Sequence, residues 1–219
     1  MTPFKLISSI IVVTLILGYF IYPDPKLEPA DPTQLPWHIV IDDKQNSSVF
    51  NLQLNQSTLQ DAFNEFGEAD SMALYADTNN PSIEVYFGYV EKAGLTARII
   101  ATLELTPSET DQFLSNAQSR MQSNSEIPKI EINASDRHKT LEMILSSITY
   151  IPKYTGLDQT YLIDRFGKPS HLLKLSDSAH QLFYKTRGLS VISDSEGKEV
   201  FQYTQPSLLI IPTQAKPYE

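Results

Sequence analysis

STLQDAFNEFGEAD, residues 57–70, and LDQTYLIDRFGKPS, residues 157–170, align without a gap on their Phe-Gly pairs at 66–67 and 166–167. Each reads as a short amphipathic helix. In the first, Leu59, Ala62, Phe63 and Phe66 recur at the i, i+3, i+4, i+7 spacing that gathers apolar side chains on one helical face, and Ser57 with Gln60 makes a capping box. In the second, Leu162, Ile163 and Phe166 take the same places behind Asp158 as N-cap. Gly67 and Gly167 then supply the left-handed residue that ends a helix, a conformation open to a residue without Cβ.

The flanking sequence extends the match. SIEVYFGYVEKAGLTARIIATLEL, residues 82–105, parallels HQLFYKTRGLSVISDSEGKEVFQYT, residues 180–204: an aromatic strand turns near Gly94 or Gly188 into a second strand that begins Gly-Leu. DSEG, residues 194–197, adds a further hairpin before KEVFQY. Two more helices are predicted between the blocks. One starts at Thr106, Pro107 and Glu109 and carries Phe113, Leu114, Ala117 and Met121. The other opens at Asp136 and places Leu141, Ile144, Leu145 and Ile148 on one stripe. SLLIIP, residues 207–212, is read as a closing strand in preference to a docking segment, because such an apolar run is costly to expose. The fold class is α+β: two tandem repeats of a helix on an antiparallel sheet, over 37–123 with a flanking strand and helix and over 124–219.

A helix ending in Phe-Gly-x-Pro, then an aromatic strand, Gly-Leu-x-Val and a hairpin, resembles the SmpA/BamE outer-membrane assembly lipoproteins, and a tandem pair of such units is similar to the beta-lactamase inhibitor protein. The resemblance spans about 120 residues in two blocks. It implies two helices on a three-stranded antiparallel sheet in each unit, and a non-catalytic, protein-binding role in a bacterial envelope. The chain has no lipobox cysteine, and Ala69 stands where the motif has proline.

The N-terminal residues suit that setting. LISSIIVVTLILGYFIY, residues 6–22, is 17 residues without a charge. As a helix it is roughly 26 Å long, the short end of what spans a bilayer. Tyr19, Phe20 and Tyr22 gather where an aromatic belt sits. Lys5 before an apolar stretch also fits a cleaved signal peptide, but small residues at the −3 and −1 positions of a cleavage site are missing, so residues 1–22 are read as an uncleaved signal anchor. Lys5 and the amino terminus on one flank, and the net negative set Asp24, Lys26, Glu28 and Asp31 on the other, put the N-terminus in the cytoplasm and the rest in the periplasm of a bacterial inner-membrane protein. Thr14 and Gly18 form a small-xxx-small pair for packing on a partner helix. The proline-rich residues 23–36 are expected to be an extended spacer reaching about 43 Å.

Composition excludes several chemistries. With 26 acidic and 17 basic side chains the net charge is −9, unsuited to gripping a phosphate backbone, so no nucleic-acid partner is expected. Without cysteine there is no disulfide, thiol nucleophile or thiolate metal site. His38, His138, His171 and His180 form no HExxH or i, i+4 ligand pair; only His171 and His180, on adjacent strands, keep a weak metal-site idea open. Asp42 with Asp43, and Glu65 with Glu68 and Asp70, lack calcium-loop spacing and read as solvated ends of elements. No GxSxG, Walker or GxGxxG motif is present. No catalytic residue, metal site or cofactor is expected, and the chain is read as not an enzyme.

Binding is the remaining chemistry. Alternation along strands turns half of the dense aromatics away from the helices. Tyr86, Tyr89, Tyr184 and Tyr203 are the candidate partner-binding side chains, since outward tyrosines offer large area with few rotamers; cross-strand packing is the competing reading. The expected function is a membrane-anchored periplasmic protein-binding module, an accessory or assembly subunit of an envelope complex. The alternative is a small-ligand-binding or hydrolase-inhibiting module with its site between the repeats. A deep polar pocket with a histidine and two carboxylates would favour the alternative, and a shallow groove displaying tyrosines the first.

Overall fold

The computed structural model describes residues 31–77, 79–116, 129–132, 134–154 and 156–218. The predicted membrane helix with Thr14 and Gly18, and the predicted helical positions Ala117 and Met121, lie outside the described residues. Among those described, no helix is long and apolar enough to cross a membrane. The fold is mixed helix and sheet, mostly sheet. Among the described residues, four α-helices, α1 Leu59–Phe66, α2 Pro107–Asn116, α3 Ala134–Thr140 and α4 Gln159–Phe166, accompany thirteen strands.

The first three strands, β1 Val40–Ile41, β2 Ser47–Val49 and β3 Leu52–Gln53, form a small separate sheet. The other ten build one antiparallel sheet. In chain order they are β4 Ser71–Tyr75, β5 Ser82–Lys92, β6 Leu95–Glu104, β7 Lys129–Glu131, β8 Leu145–Pro152, β9 His171–Lys174, β10 Ala179–Tyr184, β11 Leu189–Asp194, β12 Val200–Tyr203 and β13 Lys216–Pro217. Their spatial order is β13-β9-β10-β11-β12-β8-β6-β5-β4-β7. Read inward from either edge, it gives a short edge strand, the strand after a helix, a hairpin, and then β8 or β12. These last two pair antiparallel at the centre through Phe201 with Tyr150 and Tyr203 with Ile148.

Local chemistry explains the helices. Thr58, one residue later than predicted, caps α1, its side chain accepting from the Asp61 N–H while Asp61 accepts from the Thr58 N–H. Ser57 instead accepts from the Gln53 N–H, fixing the turn before the helix. Asp158 caps α4 through the Tyr161 N–H at 2.7 Å. Thr106 and Glu109 make the reciprocal box at the start of α2. Gly67 (φ 87°, ψ −162°) and Gly167 (φ 79°, ψ −174°) close α1 and α4, not in the left-handed helical region but in an extended positive-φ region that only glycine occupies.

Four sequence expectations change. Residues 145–152 are a strand, not the continuation of a helix from Asp136: α3 stops at Thr140, and Leu145 and Ile148 are buried in β8 between β6 and β12. Three β-branched residues, a tyrosine and a closing proline favour that outcome. SLLIIP forms no strand: Leu209 is buried, whereas Leu208 and Ile210 are 47% and 83% exposed. Edge pairing falls to Lys216 and Pro217 against Leu172 and His171. The two Gly-Leu turns are not equivalent in register, because Tyr86 pairs with Ile100 but Phe183 with Ser190, so the β5–β6 hairpin runs further past its helix. Finally, Pro32–Gln34 form a 3-10 turn and Pro36 is buried, its carbonyl accepting from the Tyr203 hydroxyl at 2.9 Å; residues 31–36 therefore belong with the folded unit rather than with an extended spacer.

The core lies on one face of the large sheet. Met72, Leu74, Ile83, Val85, Ile99, Ala101, Tyr150, Phe201, Val191 and Leu182 point to that face, where α1, α4 and the small sheet cover them. The tip between β2 and β3 inserts Phe50, fully buried, against Phe66 (5.9 Å between centroids), Tyr150 (5.7 Å) and Tyr203 (5.9 Å). One ring thus seals α1 to both central strands. The positive φ of Phe50 (52°) and Asn51 (59°) is that of a type I′ hairpin turn.

Candidate functional site

The opposite face of the sheet carries no helix among the described residues. Cross-strand register places one row of side chains across it: Ser71, Tyr86, Ile100, Thr149, Gln202, Ser190, Phe183 and His171. Period-2 alternation makes this row, and those flanking it, the outward set. A groove of about 430 Å³ lies along it. Its lining has seven hydroxyl side chains (Ser82, Thr102, Ser146, Ser147, Thr149, Ser190, Thr204), the amides of Asn80, Gln181 and Gln202, and the carboxylates of Glu84 and Glu104. Phe183, Leu208, Leu209 and Ile210 are its apolar part. The segment after β12 is held there by Lys185, whose ammonium donates to the Leu209 carbonyl at 2.6 Å.

Some of these groups are engaged. The Ser146 hydroxyl donates to the Thr102 carbonyl at 3.0 Å, and the Gln181 amide to the Ser190 hydroxyl at 3.4 Å. The Tyr86 hydroxyl donates to Glu84 and lies 2.7 Å from the Tyr75 hydroxyl, with the Lys129 ammonium 5.2 Å from the Tyr86 ring centre. Burial first, then these bonds to Glu84 and Tyr75, push the Tyr86 phenol well above its ordinary pKa. Tyr86 is therefore a neutral donor that holds the Glu84 carboxylate in place.

The four predicted tyrosines separate. Tyr86 is half-buried beside the groove. Tyr89, about half exposed, lies under Arg98 (4.9 Å) and Lys153 (5.8 Å) near the far end of β5. Tyr184 and Tyr203 are buried on the helix-covered face, against Phe166 and Phe50 respectively, and display nothing outward. Their neighbours Phe183 and Gln202 point to the groove face, Gln202 exposed and Phe183 only 2% exposed. Sequence reasoning misses the groove residues themselves, since scattered Ser, Thr and Gln become a set only through the register of distant strands.

A second cavity, about 80 Å³, lies on the covered side between Trp37, Leu95, Tyr150, Tyr154, Tyr161 and Phe166. Arg165 stacks over the Trp37 and Tyr161 rings at 4.8 and 5.1 Å. Its lining is largely apolar, with no carboxylate or imidazole and the phenols of Tyr150, Tyr154 and Tyr161 as its titratable groups. His171 and His180 do not meet: they pair with Phe183 and Lys174, three residue pairs apart along β9 and β10. Glu65 is bound to Lys92 at 2.6 Å, and Asp42 accepts from the Lys44 and Asn46 N–H groups and from the side chains of Asn46 and Gln53. Bonds from Asn46 above all hold the Asp42 carboxyl below its usual range. Among the described residues no group of three or more His, Asp or Glu is arranged to hold a metal ion. Searches of the chain against protein-family models, curated proteins and solved structures found no match.

Proposed function

We propose that this chain is a non-catalytic binding protein that receives a partner protein on the open face of its large sheet. In this reading residues 4–22 anchor it in a bacterial inner membrane with the N-terminus cytoplasmic. The folded part is periplasmic, a tandem pair of SmpA/BamE-like helix-on-sheet units, and the whole serves as an accessory or assembly subunit of an envelope complex. The observation that carries the binding role is the asymmetry of the sheet: one face is sealed by helices and by Phe50, while the other leaves a polar groove across both halves with Leu208 and Ile210 exposed on its wall. Ten paired strands make that face a rigid platform, so little ordering cost opposes docking.

The small-ligand alternative draws on the groove's volume, which is in the range of ligand sites. The lining is mostly hydroxyl and amide, with the two carboxylates but not the histidine expected of a ligand site, and without the tyrosines expected of a docking groove. Photo-crosslinking separates the readings. The full-length protein, with a crosslinking residue at Thr149 or Gln202 in the groove, or at Asn64 on exposed α1 as control, is irradiated in native membranes beside a version lacking residues 1–22. A stoichiometric protein adduct from the groove positions alone, weakened without the anchor, is the expected result. Equal labelling from Asn64, or no adduct, refutes the proposal.

A further inference from the structure

Resting on the binding reading above, the geometry points to a partner segment of one chemistry: we propose that the groove takes an extended, lysine- or arginine-bearing stretch of polypeptide. Its cationic head lies between Glu84 and Glu104, and a further part of the same stretch crosses Leu208 and Ile210. The two carboxylates are close. Glu84 pairs with Thr102 and Glu104 with Ser82 on the same two strands, so the glutamates are diagonal neighbours, roughly 7 Å apart at Cβ. Neither has an ion-pair partner among the described residues, and no lysine, arginine or histidine lines the groove. The nearby cations are spoken for: Lys185 is bonded to the Leu209 carbonyl and Lys129 lies over the Tyr75 and Tyr86 rings. Two like charges at this spacing repel, and a shared ammonium or guanidinium removes that repulsion.

The rest of the lining matches such a guest. Ser147 is nine-tenths buried in the groove wall, and its hydroxyl has no hydrogen-bond partner among the described residues. With Thr102 and Thr149 it offers acceptors and donors to a peptide backbone. The exposed aliphatic wall at Leu208 and Ile210, on the β10–β11 side of the groove, suits apolar side chains or methylenes further along the same stretch. An acidic segment meets only repulsion, and a wholly apolar one leaves the hydroxyls and both carboxylates desolvated.

The test uses full-length protein in detergent and fluorescent nonapeptides of alternating Ser-Lys or Ser-Glu, read by anisotropy at low salt. Ser-Lys is expected to bind and Ser-Glu not. The double variant Glu84→Gln, Glu104→Gln is expected to weaken Ser-Lys binding about tenfold, and Ile210→Ser a few-fold with charge unchanged. Glu68→Gln with Asp164→Asn removes the same charge from exposed positions outside the groove and should change affinity less than twofold. Equal losses in the two double variants mean general attraction to an acidic protein and overturn the inference, as does no Ser-Lys binding. A groove crosslink in native membranes whose captured segment, once sequenced, lacks Lys and Arg also overturns it while leaving the binding reading intact. No groove crosslink at all removes both.

Discussion

Phe50 gives the sharpest test of how the two halves are held. Its ring is fully buried, touches Phe66, Tyr150 and Tyr203, and is presented from a backbone with φ of 52°. Phe50→Ala removes the ring but keeps the Cβ that makes positive φ costly. Because α1, β8 and β12 are each held by other contacts, the site collapses only partly, and the loss is about 4 kcal/mol, in the middle of the range for buried phenylalanines. Phe50→Gly removes the same ring and also relieves the left-handed strain, worth about 1 kcal/mol, so it should be the milder change although its side chain is smaller. For a chain of this size the alanine variant should melt roughly 8–16 °C lower. Urea unfolding followed by circular dichroism gives both values; the slope with urea should stay at the wild-type value if the unfolded state is unaffected. A Phe50→Ala loss below about 1.5 kcal/mol, or a glycine variant less stable than the alanine one, refutes the seal at the seam.

Three further outcomes follow from local geometry. Glu199 is 1% exposed and accepts from the Gly156 and Leu157 N–H groups at 2.9 and 2.7 Å, so Glu199→Ala should cost about 3 kcal/mol and speed amide exchange at those two residues first. Gly67→Ala and Gly167→Ala meet open space, so their expected losses, about 1–3 kcal/mol each by thermal melting, come from backbone strain alone, and unchanged melting refutes the assigned conformation. Burial, before the smaller effect of Tyr161, pushes the Tyr150 phenol up to about 12, and burial likewise takes Tyr184 to about 12. Since these folded values lie above the unfolded value near 10, the protonated phenols stabilise the fold fully below pH 10, and that stability is lost as pH rises towards 12. Ultraviolet titration should show their ionisation coinciding with alkaline unfolding; titration near pH 10 in a still-folded protein contradicts their burial.

Elements decided by neighbours along the chain are legible in the sequence by itself. The caps at Asp158 and Thr106, and the helices ending at Phe66 and Phe166, rest on contacts within four residues. What is not legible depends on distant pairing. Residues 145–152 carry apolar spacing that suits either period, and only β6 and β12 on their two sides make them a strand. Alternation sorts the aromatics into two sets but gives no sign for which set meets the helices, so Tyr184 and Tyr203 read as outward although Phe183 and Gln202 hold that face. The hairpin bearing Phe50 has two short strands and no strong periodic signal. The groove is legible only in part: Glu84 and Glu104 are unremarkable strand residues until the β5–β6 register sets them diagonally.

The pairing of β8 with β12 at the centre of one continuous sheet also bears on direction. Two separate copies of one helix-and-strands unit, meeting through those same strands, would show identical chemistry on either side of their junction, and a guest lying across it could enter either way round. Joined in a single chain, the sides are free to differ, and here they do: both groove carboxylates belong to the β5–β6 hairpin, while β10, β11 and β12 contribute amides, a hydroxyl and a phenyl ring. A polypeptide stretched across this surface would therefore be told which end is which, and whatever it belongs to would be held in one orientation.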